Sequence, residues 1–259
     1  MILKGRPISK GKGRGEVLLL DETFSFLGGV DPRTGELSST TGLLGANLKD
    51  RVFAFRMGKG STVGSYTLLQ LKKEGNLPAA IINNRAETIV ATGAVMASVP
   101  MVDSIDLALL HPGDEVAVDG EAGTVDLFNV KESRVVTSVL TNQGRILALK
   151  RSEKVSSCQN MWAGVSGYIE PGETPLQTAM KEVEEETSVH GCRPIRQADP
   201  ILVRQSDMVW VIHPFLMECP TESITIDWEH TEYRWISPSQ VDEHVTVPGF
   251  RRVLRSLGL

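Results

Sequence analysis

The sequence predicts a protein of the α/β and α+β class, built from two domains in tandem, and three observations support this prediction. Strand and helix patterns alternate along the first half of the chain, a polar stretch interrupts them near residue 131, and a new β-hairpin pattern follows. A chain of 259 residues is long enough for two domains of ordinary size. We expect these domains to span residues 1–130 and 131–259, each with its own core.

Short apolar segments alternate with helical segments in the first half. The predicted strands are residues 52–56, 79–83 and 101–103, the predicted helices are residues 65–73 and 87–97, and a closing hairpin is residues 115–127. This order predicts an α/β layer packed on additional β structure.

The second half opens with a predicted hairpin. Residues 128–134, FNVKESR, have the composition of a polar connector. Residues 135–140 and 145–149 then form two strands around the turn Asn142-Gln143-Gly144.

Composition argues against several classes of function. A net charge of -5 provides no broad cationic field, so we expect no general affinity for nucleic acid or for an anionic membrane, and a small metabolite is the expected partner. No apolar run approaches the roughly 20 residues that span a bilayer. The N-terminal residues lack the apolar core of a signal peptide, and we expect a cytoplasmic protein.

The three cysteines are Cys158, Cys192 and Cys219, and no two of them have CxxC spacing. This favours small apolar side chains over a disulfide framework or an iron–sulfur cluster.

Residues 167–189, GYIEPGETPLQTAMKEVEEETSV, combine glycines and charged residues at fixed spacing. Five residues separate Gly167 from Glu173, and seven more separate Glu173 from Lys181. The segment also has an N-cap, a first-turn proline and a capping-box partner, which are Thr174, Pro175 and Gln177. These signals predict a helix from Pro175 to about Thr187.

Three carboxylates of this helix share one face. Glu182, Glu185 and Glu186 stand at i, i+3 and i+4, within an arc of roughly 100 degrees. Such packing of like charges is costly unless a cation compensates, and hard oxygen ligands suit magnesium or manganese better than zinc. The metal would bridge the carboxylates and phosphate oxygens of a substrate and activate a water for attack at phosphorus. The alternative interpretation is a solvated acidic helix face.

This segment resembles the signature of the Nudix hydrolase family, and the resemblance spans most of residues 132–259. It implies an α/β/α sandwich with a mixed sheet, catalytic roles for Glu182 and Glu185, and an orienting pair between Glu173 and Lys181. It also implies a Mg²⁺ or Mn²⁺ site with four members, which are Glu182, Glu185, Glu186 and Gly167.

Two positions depart from the family signature. Lys181 replaces an arginine and loses its planar bidentate fork, and Ser188 replaces a glycine that normally ends the helix in a left-handed conformation. Two consequences remain open at this point, reduced activity or a helix that continues to Gly191.

Flanking segments also resemble the family. Residues 162–166 look like the strand that delivers Gly167, and residues 232–236 look like a late strand of many members. Selectivity for the group beyond the diphosphate normally comes from loops outside the signature, so the substrate is not named by the sequence. Three residues are candidate substrate contacts, with core packing or a surface salt bridge as the alternative: Trp162, Trp210 and Arg204.

The first half has its own resemblance, carried by stretches that occur in order. They are MILKGR, FLGGVDP, GKGSTVGSY, PAAIIN and IVATGA. Along nearly all of residues 1–127 the chain is similar to the small, swivel-domain subunit of aconitase X, a family that includes archaeal phosphomevalonate dehydratase. The resemblance implies a swivelling β/β/α domain and a hydro-lyase of the mevalonate route to isoprenoids.

Within GKGSTVGSY, residues 58–64 join a strand to a helix through a glycine-rich turn. Such a turn exposes backbone N–H groups and the positive end of the helix to an anion, although a tight turn with positive φ is the alternative interpretation. The resemblance implies that Ser61 abstracts a proton in a dehydration. Lys59 and the helix end are the local candidates to activate it, and Lys59, Gly60 and Thr62 are candidate substrate contacts.

In that family the iron–sulfur cluster belongs to a separate large subunit. We therefore expect a large aconitase X-type partner subunit that carries the cluster, with an active site at the interface with Ser61.

Three hypotheses remain open for the whole chain. They are an enzyme with both functions, a dehydratase subunit whose Nudix domain senses a ligand, and a hydrolase of nucleoside or prenyl diphosphates with a non-catalytic swivel domain. A Nudix-fold isopentenyl diphosphate isomerase is disfavoured, because no cysteine lies where its catalytic cysteine would be.

Overall fold

The computed structural model describes residues 1–43 and 45–259, and the chain divides into two compact units, Met1–Lys131 and Glu132–Leu259. Each unit has its own sheet and its own hydrophobic core. The predicted class, α/β and α+β with a swivelling β/β/α domain followed by an α/β/α sandwich, is confirmed. Among the described residues, no helix has both the length and the apolar character needed to cross a membrane.

The first unit is built on an eight-stranded sheet in the order β1-β8-β7-β3-β4-β5-β6-β2. Neighbours from β3 to β6 run parallel, and the other pairs are antiparallel. Its strands are β1 (Ile2–Lys4), β2 (Arg6–Ser9), β3 (Lys12–Phe24), β4 (Val52–Gly58), β5 (Ala80–Asn83), β6 (Met101–Asp103), β7 (Glu115–Asp119) and β8 (Thr124–Leu127). Its helices are α1 (Phe26–Gly29), α2 (Val63–Glu74) and α3 (Thr88–Ala97).

The predicted alternation of strand and helix is confirmed as β4-α2-β5-α3-β6. Helix α2 begins at Val63, two residues before the predicted start. The sequence analysis did not predict β1, β2 or β3, although β3 is a strand of 13 residues. The first half of β3 is mostly exposed and polar, and its apolar run at residues 17–20 is too short to distinguish a strand from a buried helical segment.

The core of the first unit fixes the beginning of α2. Its centre is a cluster of mostly edge-to-face aromatic rings from Phe24, Phe26, Phe53 and Phe55. Helices α2 and α3 approach closely, because a β-carbon at Gly93 would lie 2.7 Å from Leu68 Cδ1 and 3.0 Å from Ser65 Cα. Ser65 Oγ also donates to the carbonyl oxygen of Ile89, at 2.7 Å. The start of α2 is therefore anchored against the start of α3.

The second unit has a sheet in the order β11-β10-β9-β15-β13, with β12 beside β9, β14 beside β15, and β16 beside β10. Its strands are β9 (Lys131–Asn142), β10 (Arg145–Arg151), β11 (Trp162–Ala163), β12 (Val165–Tyr168), β13 (Arg193–Gln197), β14 (Ile201–Gln205), β15 (Met208–Glu218) and β16 (His230–Ile236). Its helices are α4 (Pro175–Thr187) and α5 (Phe250–Ser256), with a 3₁₀ turn at Pro238–Glu243.

Two hydrophobic clusters pack on this second sheet. In one, Ala179 and Val183 of α4 pack against strand residues such as Phe215. In the other, Phe250 and Val253 of α5 pack against a different set of strand residues. Two helices covering one sheet through separate clusters make the three-layer arrangement that the sequence predicted.

Two local predictions for the second unit need correction. The predicted polar connector extends too far, because β9 already begins at Lys131. The predicted strand at residues 162–166 is two strands, β11 paired with β10 and β12 paired with β9. Gly164 lies at the change of partner, and a β-carbon there would lie 2.8 Å from the carbonyl oxygen of Ser138. The predicted hairpin is confirmed, with positive φ at both Gln143 and Gly144.

Candidate active site

Helix α4 begins and ends at defined caps. Thr174 Oγ1 accepts from the backbone N–H of Gln177 at 3.3 Å, and Gln177 Oε1 accepts from the backbone N–H of Thr174 at 2.9 Å, so the predicted capping box is confirmed. The helix ends where Ser188 adopts φ 56 and ψ 21, a left-handed conformation. The alternative in which the helix continues to Gly191 is therefore wrong, because this conformation turns the backbone out of the helix.

Strand β12 brings Gly167 against α4. A β-carbon at Gly167 would collide with the carboxylate of Glu182. Only glycine leaves room for that carboxylate beside the strand, which gives a steric reason for the first residue of the motif. It also leaves the backbone of Gly167 next to an acidic side chain of the helix.

Lys181 and Glu173 form the orienting pair that the family resemblance implies. Lys181 Nζ lies 3.6 Å from Glu173 Oε1. The pKa of Glu173 is lowered, first by the hydrogen bond that Thr178 Oγ1 donates to its Oε2 at 2.7 Å and then, against a raising effect of burial, by the charge of Lys181. The pair ties the loop before α4 to the middle of the helix.

Glu186 is the buried member of the acidic face. It is 5% exposed, and its Oε1 accepts from the backbone N–H of Ser166 on β12 at 3.2 Å. Its Oε2 is buried and has no hydrogen-bond partner. Burial raises its pKa well above the ordinary value, against the lowering effect of the Ser166 hydrogen bond, and the charge of Glu182 raises it further.

Glu182 and Glu185 lie at a cavity of about 380 Å³ beside the helix. Glu182 is half-buried, and its pKa is raised by burial and then by the charge of Glu185. Glu229, from the residue before β16, lines the same cavity, and its charge also raises the pKa of Glu182. The wall of the cavity is therefore acidic at one side and carries unrelieved repulsion.

The rest of the cavity lining mixes aromatic, aliphatic and polar residues. Tyr168 and Trp210 line it with their ring centroids 5.9 Å apart. Arg151 lines it as well, and its Nε donates to the carbonyl oxygen of Ser157 at 3.1 Å. The aliphatic and aromatic lining residues include Val135, Ala163, Ile212, Val247, Phe250 and Val253, and the polar ones include Thr137, Ser166, Glu170 and Gln205.

The structure separates some residues that the sequence analysis grouped together. Arg204 is not among the residues that line this cavity, and its Nε donates to the carbonyl oxygen of Ser206 at 2.9 Å. Trp162 is buried and stacks on His244 with ring centroids 5.0 Å apart, which favours the core-packing alternative. Trp210 does line the cavity.

The carboxylates are not arranged as a finished metal site. Within residues 1–43 and 45–259, no three side chains of His, Cys, Asp or Glu are grouped closely enough to hold an ion as they stand. Glu182 and Glu185 line the cavity, whereas Glu186 is directed at the Ser166 amide. The donor set nevertheless fits a hard divalent cation, because it is all oxygen and includes a buried carboxylate oxygen without a partner.

In the first unit, the loop between β4 and α2 brings together the four residues that the sequence analysis selected. Lys59, Gly60, Ser61 and Thr62 are all exposed. Gly60 has φ +112, a conformation that favours glycine. Ser61 lies at the N-terminal end of α2, since its carbonyl oxygen accepts from the N–H of Gly64 at 2.9 Å. Its hydroxyl therefore lies near the positive end of a 12-residue helix.

Comparison with known proteins finds one family match in each of the two units. The profile of a family described as the aconitase X swivel domain matches residues 2–127, and the profile of the NUDIX domain matches residues 131–257. The phosphomevalonate dehydratase small subunit of Thermococcus sibiricus is 50% identical over 128 residues, which are 49% of this chain and 98% of that protein. The chain belongs to the aconitase X swivel family through its first unit, and its second unit matches the NUDIX domain.

Two solved structures are similar to one half of the chain each. Aconitase X of Thermococcus kodakaraensis in its holo-form is 46% identical to the swivel domain, with a TM-score of 0.49, and the match covers 49% of this chain and 98% of that one. The MutT protein of Methanosarcina mazei Go1 is 21% identical to the Nudix domain, with a TM-score of 0.44, and the match covers 51% of this chain and 99% of that one.

The sequence analysis missed several residues of the Nudix site. Glu229 and Tyr168 line the cavity, and Asp227 and the buried His230 form a pair beside Glu186. One signal was available, since two acidic residues and a histidine directly precede the predicted strand at residues 232–236. Their approach to α4 depends on the pairing of β16 with β10, which local sequence patterns do not specify.

Proposed function

We propose that the Nudix domain hydrolyses a diphosphate in the cavity beside α4, with Mg²⁺ or Mn²⁺ held by Glu182, Glu185 and Glu186 and by the backbone carbonyl of Gly167. The main support is the acidic wall, where Glu182, Glu185 and Glu229 line one cavity and the charges of Glu185 and Glu229 raise the pKa of Glu182. A divalent cation would relieve that repulsion and complete the bonding of the buried Glu186 carboxylate.

In this proposal the side chains around the cavity have separate roles. A bound metal would neutralise the phosphate oxygens of the substrate. Glu185 is exposed at the cavity and accepts the proton of the attacking water, while Glu182 is held in place by its close packing on Gly167. Glu229 is an additional carboxylate that the structure brings to the same wall.

The apolar part of the cavity holds the group beyond the diphosphate. Tyr168 and Trp210 offer aromatic faces, and Arg151 offers a positive charge close to the acidic wall. Arg151 replaces Arg204 as our proposed cationic contact, because only Arg151 lines the cavity. These features support a nucleoside diphosphate or a prenyl diphosphate as the substrate. A panel containing both classes, compared by kcat/KM, would decide between them.

The decisive experiment measures phosphate release from that panel with and without Mg²⁺. Glu185→Gln should abolish metal-dependent release, whereas Glu184→Gln, on the same helix but outside the cavity lining, should retain it. If no diphosphate is hydrolysed but one binds, the domain is a ligand sensor. If Glu185→Gln retains full release, the assignment of the acidic wall as the active site fails.

We further propose that the swivel domain is the small-subunit component of a hydro-lyase that dehydrates phosphomevalonate in isoprenoid biosynthesis. This is supported by the relatives named phosphomevalonate dehydratase small subunit, nearly all of whose length the chain covers. In this proposal Ser61 abstracts the proton, while Lys59, Gly60 and Thr62 bind the substrate at the start of α2. The iron–sulfur cluster belongs to a large-subunit partner.

The test is co-expression with the aconitase X large subunit of a relative, followed by co-purification and a dehydration assay. The complex should form and be active, and Ser61→Ala should remove activity without preventing assembly. Thr67→Ala is the matched control, because it removes another hydroxyl of the same helix, one that donates to the carbonyl oxygen of Val63. Failure of the two chains to assemble would leave the swivel domain non-catalytic.

A further inference from the structure

Asp227 and the buried His230 form a hydrogen-bonded pair at the start of β16. The side chain of His230 is 2% exposed, and its Nδ1 lies 2.8 Å from Asp227 Oδ1. A carboxylate can only accept, so Nδ1 carries the proton in this bond. The contact fixes the orientation of the ring and directs the other ring nitrogen, Nε2, towards α4.

His230 Nε2 lies opposite the unpaired oxygen of Glu186. The distance from Nε2 to Glu186 Oε2 is 3.7 Å, and both side chains are almost fully buried. The other oxygen of Glu186 accepts from the Ser166 amide at 3.2 Å. The carboxylate is thus bracketed by a backbone amide of β12 on one side and an imidazole of β16 on the other.

A buried carboxylate oxygen without a partner is unfavourable, and buried polar atoms are nearly always hydrogen-bonded. Nε2 is the ring atom that faces Oε2, and closing the 3.7 Å gap by a few tenths of an ångström would bring the two atoms within hydrogen-bond distance. Each carboxylate oxygen has two acceptor sites, so this bond leaves further sites for a cation.

We propose that His230, held by Asp227, is a positioning residue that fixes the Glu186 carboxylate for binding a divalent cation. The inference rests on the proposed function, in which Glu182, Glu185 and Glu186 bind the metal. Loss of the imidazole contact would let Glu186 rotate among orientations of similar energy. Metal affinity would then fall although no ligand has been removed.

Three substitutions at residue 230 separate the two contacts of the ring. His230→Gln places an amide near the position of Nε2 and keeps a polar contact with Glu186. His230→Asn places an amide near the position of Nδ1, which keeps the contact with Asp227 and loses Glu186. His230→Phe fills the space and loses both contacts.

The readout is Mn²⁺ affinity of the full-length chain, measured by electron paramagnetic resonance without substrate, together with the Tm of the metal-free protein. Removing a group that orients a ligand typically weakens metal affinity about 10- to 100-fold. We expect that loss in His230→Asn and His230→Phe, and affinity within about threefold of wild type in His230→Gln. His190→Asn is the control, because His190 is 81% exposed and pairs with Glu184 just beyond the end of α4.

The outcomes distinguish the two proposals. Wild-type Mn²⁺ affinity in His230→Asn would overturn the positioning role and leave the metal site intact. Absence of Mn²⁺ binding by the wild-type chain would overturn the metal site and the positioning role with it. If His230→Asn and His230→Phe do not fold, Asp227→Asn decides, since it keeps the ring and removes its anchor. Unchanged affinity in that variant would also overturn the proposal.

Discussion

The carboxylate of Glu182 packs directly on the backbone of Gly167, across the contact between α4 and β12. Gly167 on the strand and Glu182 on the helix are 15 positions apart in the sequence. They meet at a point that leaves no room for a β-carbon at residue 167. The acidic face of α4 depends on this approach, because any β-carbon at residue 167 would push Glu182 out of the cavity wall.

Gly167→Ala should therefore damage the site more than the fold. The atoms in the way are the flexible end of the Glu182 side chain, so the loss of unfolding free energy should stay below about 1 kcal/mol, whereas displacement of Glu182 should lower metal-dependent hydrolysis by at least about tenfold. Chemical denaturation and kcat measure the two effects. Gly191→Ala is the control, since Gly191 has φ +82 and open space around its Cα, so strain of about 1 kcal/mol without loss of kcat is expected. Normal activity in Gly167→Ala would contradict the steric argument.

Ser188→Gly should stabilise the Nudix domain. Ser188 holds φ 56 at the end of α4, and glycine adopts this conformation without steric cost. We expect a gain of about 0.5–1 kcal/mol in the free energy of unfolding, measured by urea denaturation. Ser188→Ala should give no gain, because alanine retains the β-carbon. Equal stability of the glycine and alanine variants would show that the left-handed conformation is not strained.

Lys181→Arg should retain or increase hydrolysis, and Lys181→Met should reduce it. The arginine can make a bidentate contact with Glu173, whereas methionine removes the charge and the 3.6 Å ion pair. Because Lys181 is 42% exposed, the effect of either substitution on stability should stay below about 1 kcal/mol. Kinetics and denaturation on the same samples test the claim. A stability loss well beyond that limit in Lys181→Met would mean that the pair is structural.

Glu186→Gln should stabilise the metal-free protein, most strongly at alkaline pH. The folded-state pKa of Glu186 is raised, chiefly by burial, so its contribution to stability is fully present below the unfolded-state pKa and is lost as pH rises through the folded-state pKa. Glutamine removes that titration. We expect a Tm rise of a few degrees at pH 8, a smaller one at pH 4, and loss of Mn²⁺ binding. A Tm that falls at pH 8 would refute the desolvation argument.

The two cysteines near the end of the Nudix sheet should resist alkylation at neutral pH. Burial, then the hydrogen bond and charge of Cys219, raise the pKa of Cys192 from 9.0 to about 12, so its reactive thiolate is scarce until strongly alkaline pH. Cys158, which lines the cavity, should react first with iodoacetamide, and a bound diphosphate should protect it. Peptide mass spectrometry identifies the modified residue. Early labelling of Cys192 in the native protein would contradict this order.

The parts of the fold that local chemistry determines were predictable from sequence. Thr174, Pro175 and Gln177 fixed the start of α4, and the repeating strand and helix patterns identified the β4-α2-β5-α3-β6 unit. Strand β3 was not predicted, because its first half is polar and its apolar run at residues 17–20 is too short to distinguish a strand from a helix. Glu229 and His230 were missed since their role comes from the pairing of two strands about 80 residues apart.

Ser188 shows the limit of reading a motif position by residue type alone. A serine in place of glycine left two outcomes open, and the structure excludes the longer helix because Ser188 itself adopts the left-handed conformation. Trp162 and Trp210 also show that residue type alone does not determine the environment of a side chain. They are identical in type, yet one is buried under His244 and the other lines the cavity.

The exposure of Ser61 limits what the swivel domain can do by itself. Ser61, like Lys59 beside it, is exposed on the surface of the swivel domain. Water would protonate an alkoxide there before the alkoxide could take a proton from carbon. Solvent would also screen the field of the helix dipole, which stabilises the alkoxide, within a few ångströms. Proton abstraction by Ser61 thus requires a dry enclosure, which only a covering surface from outside the domain can provide.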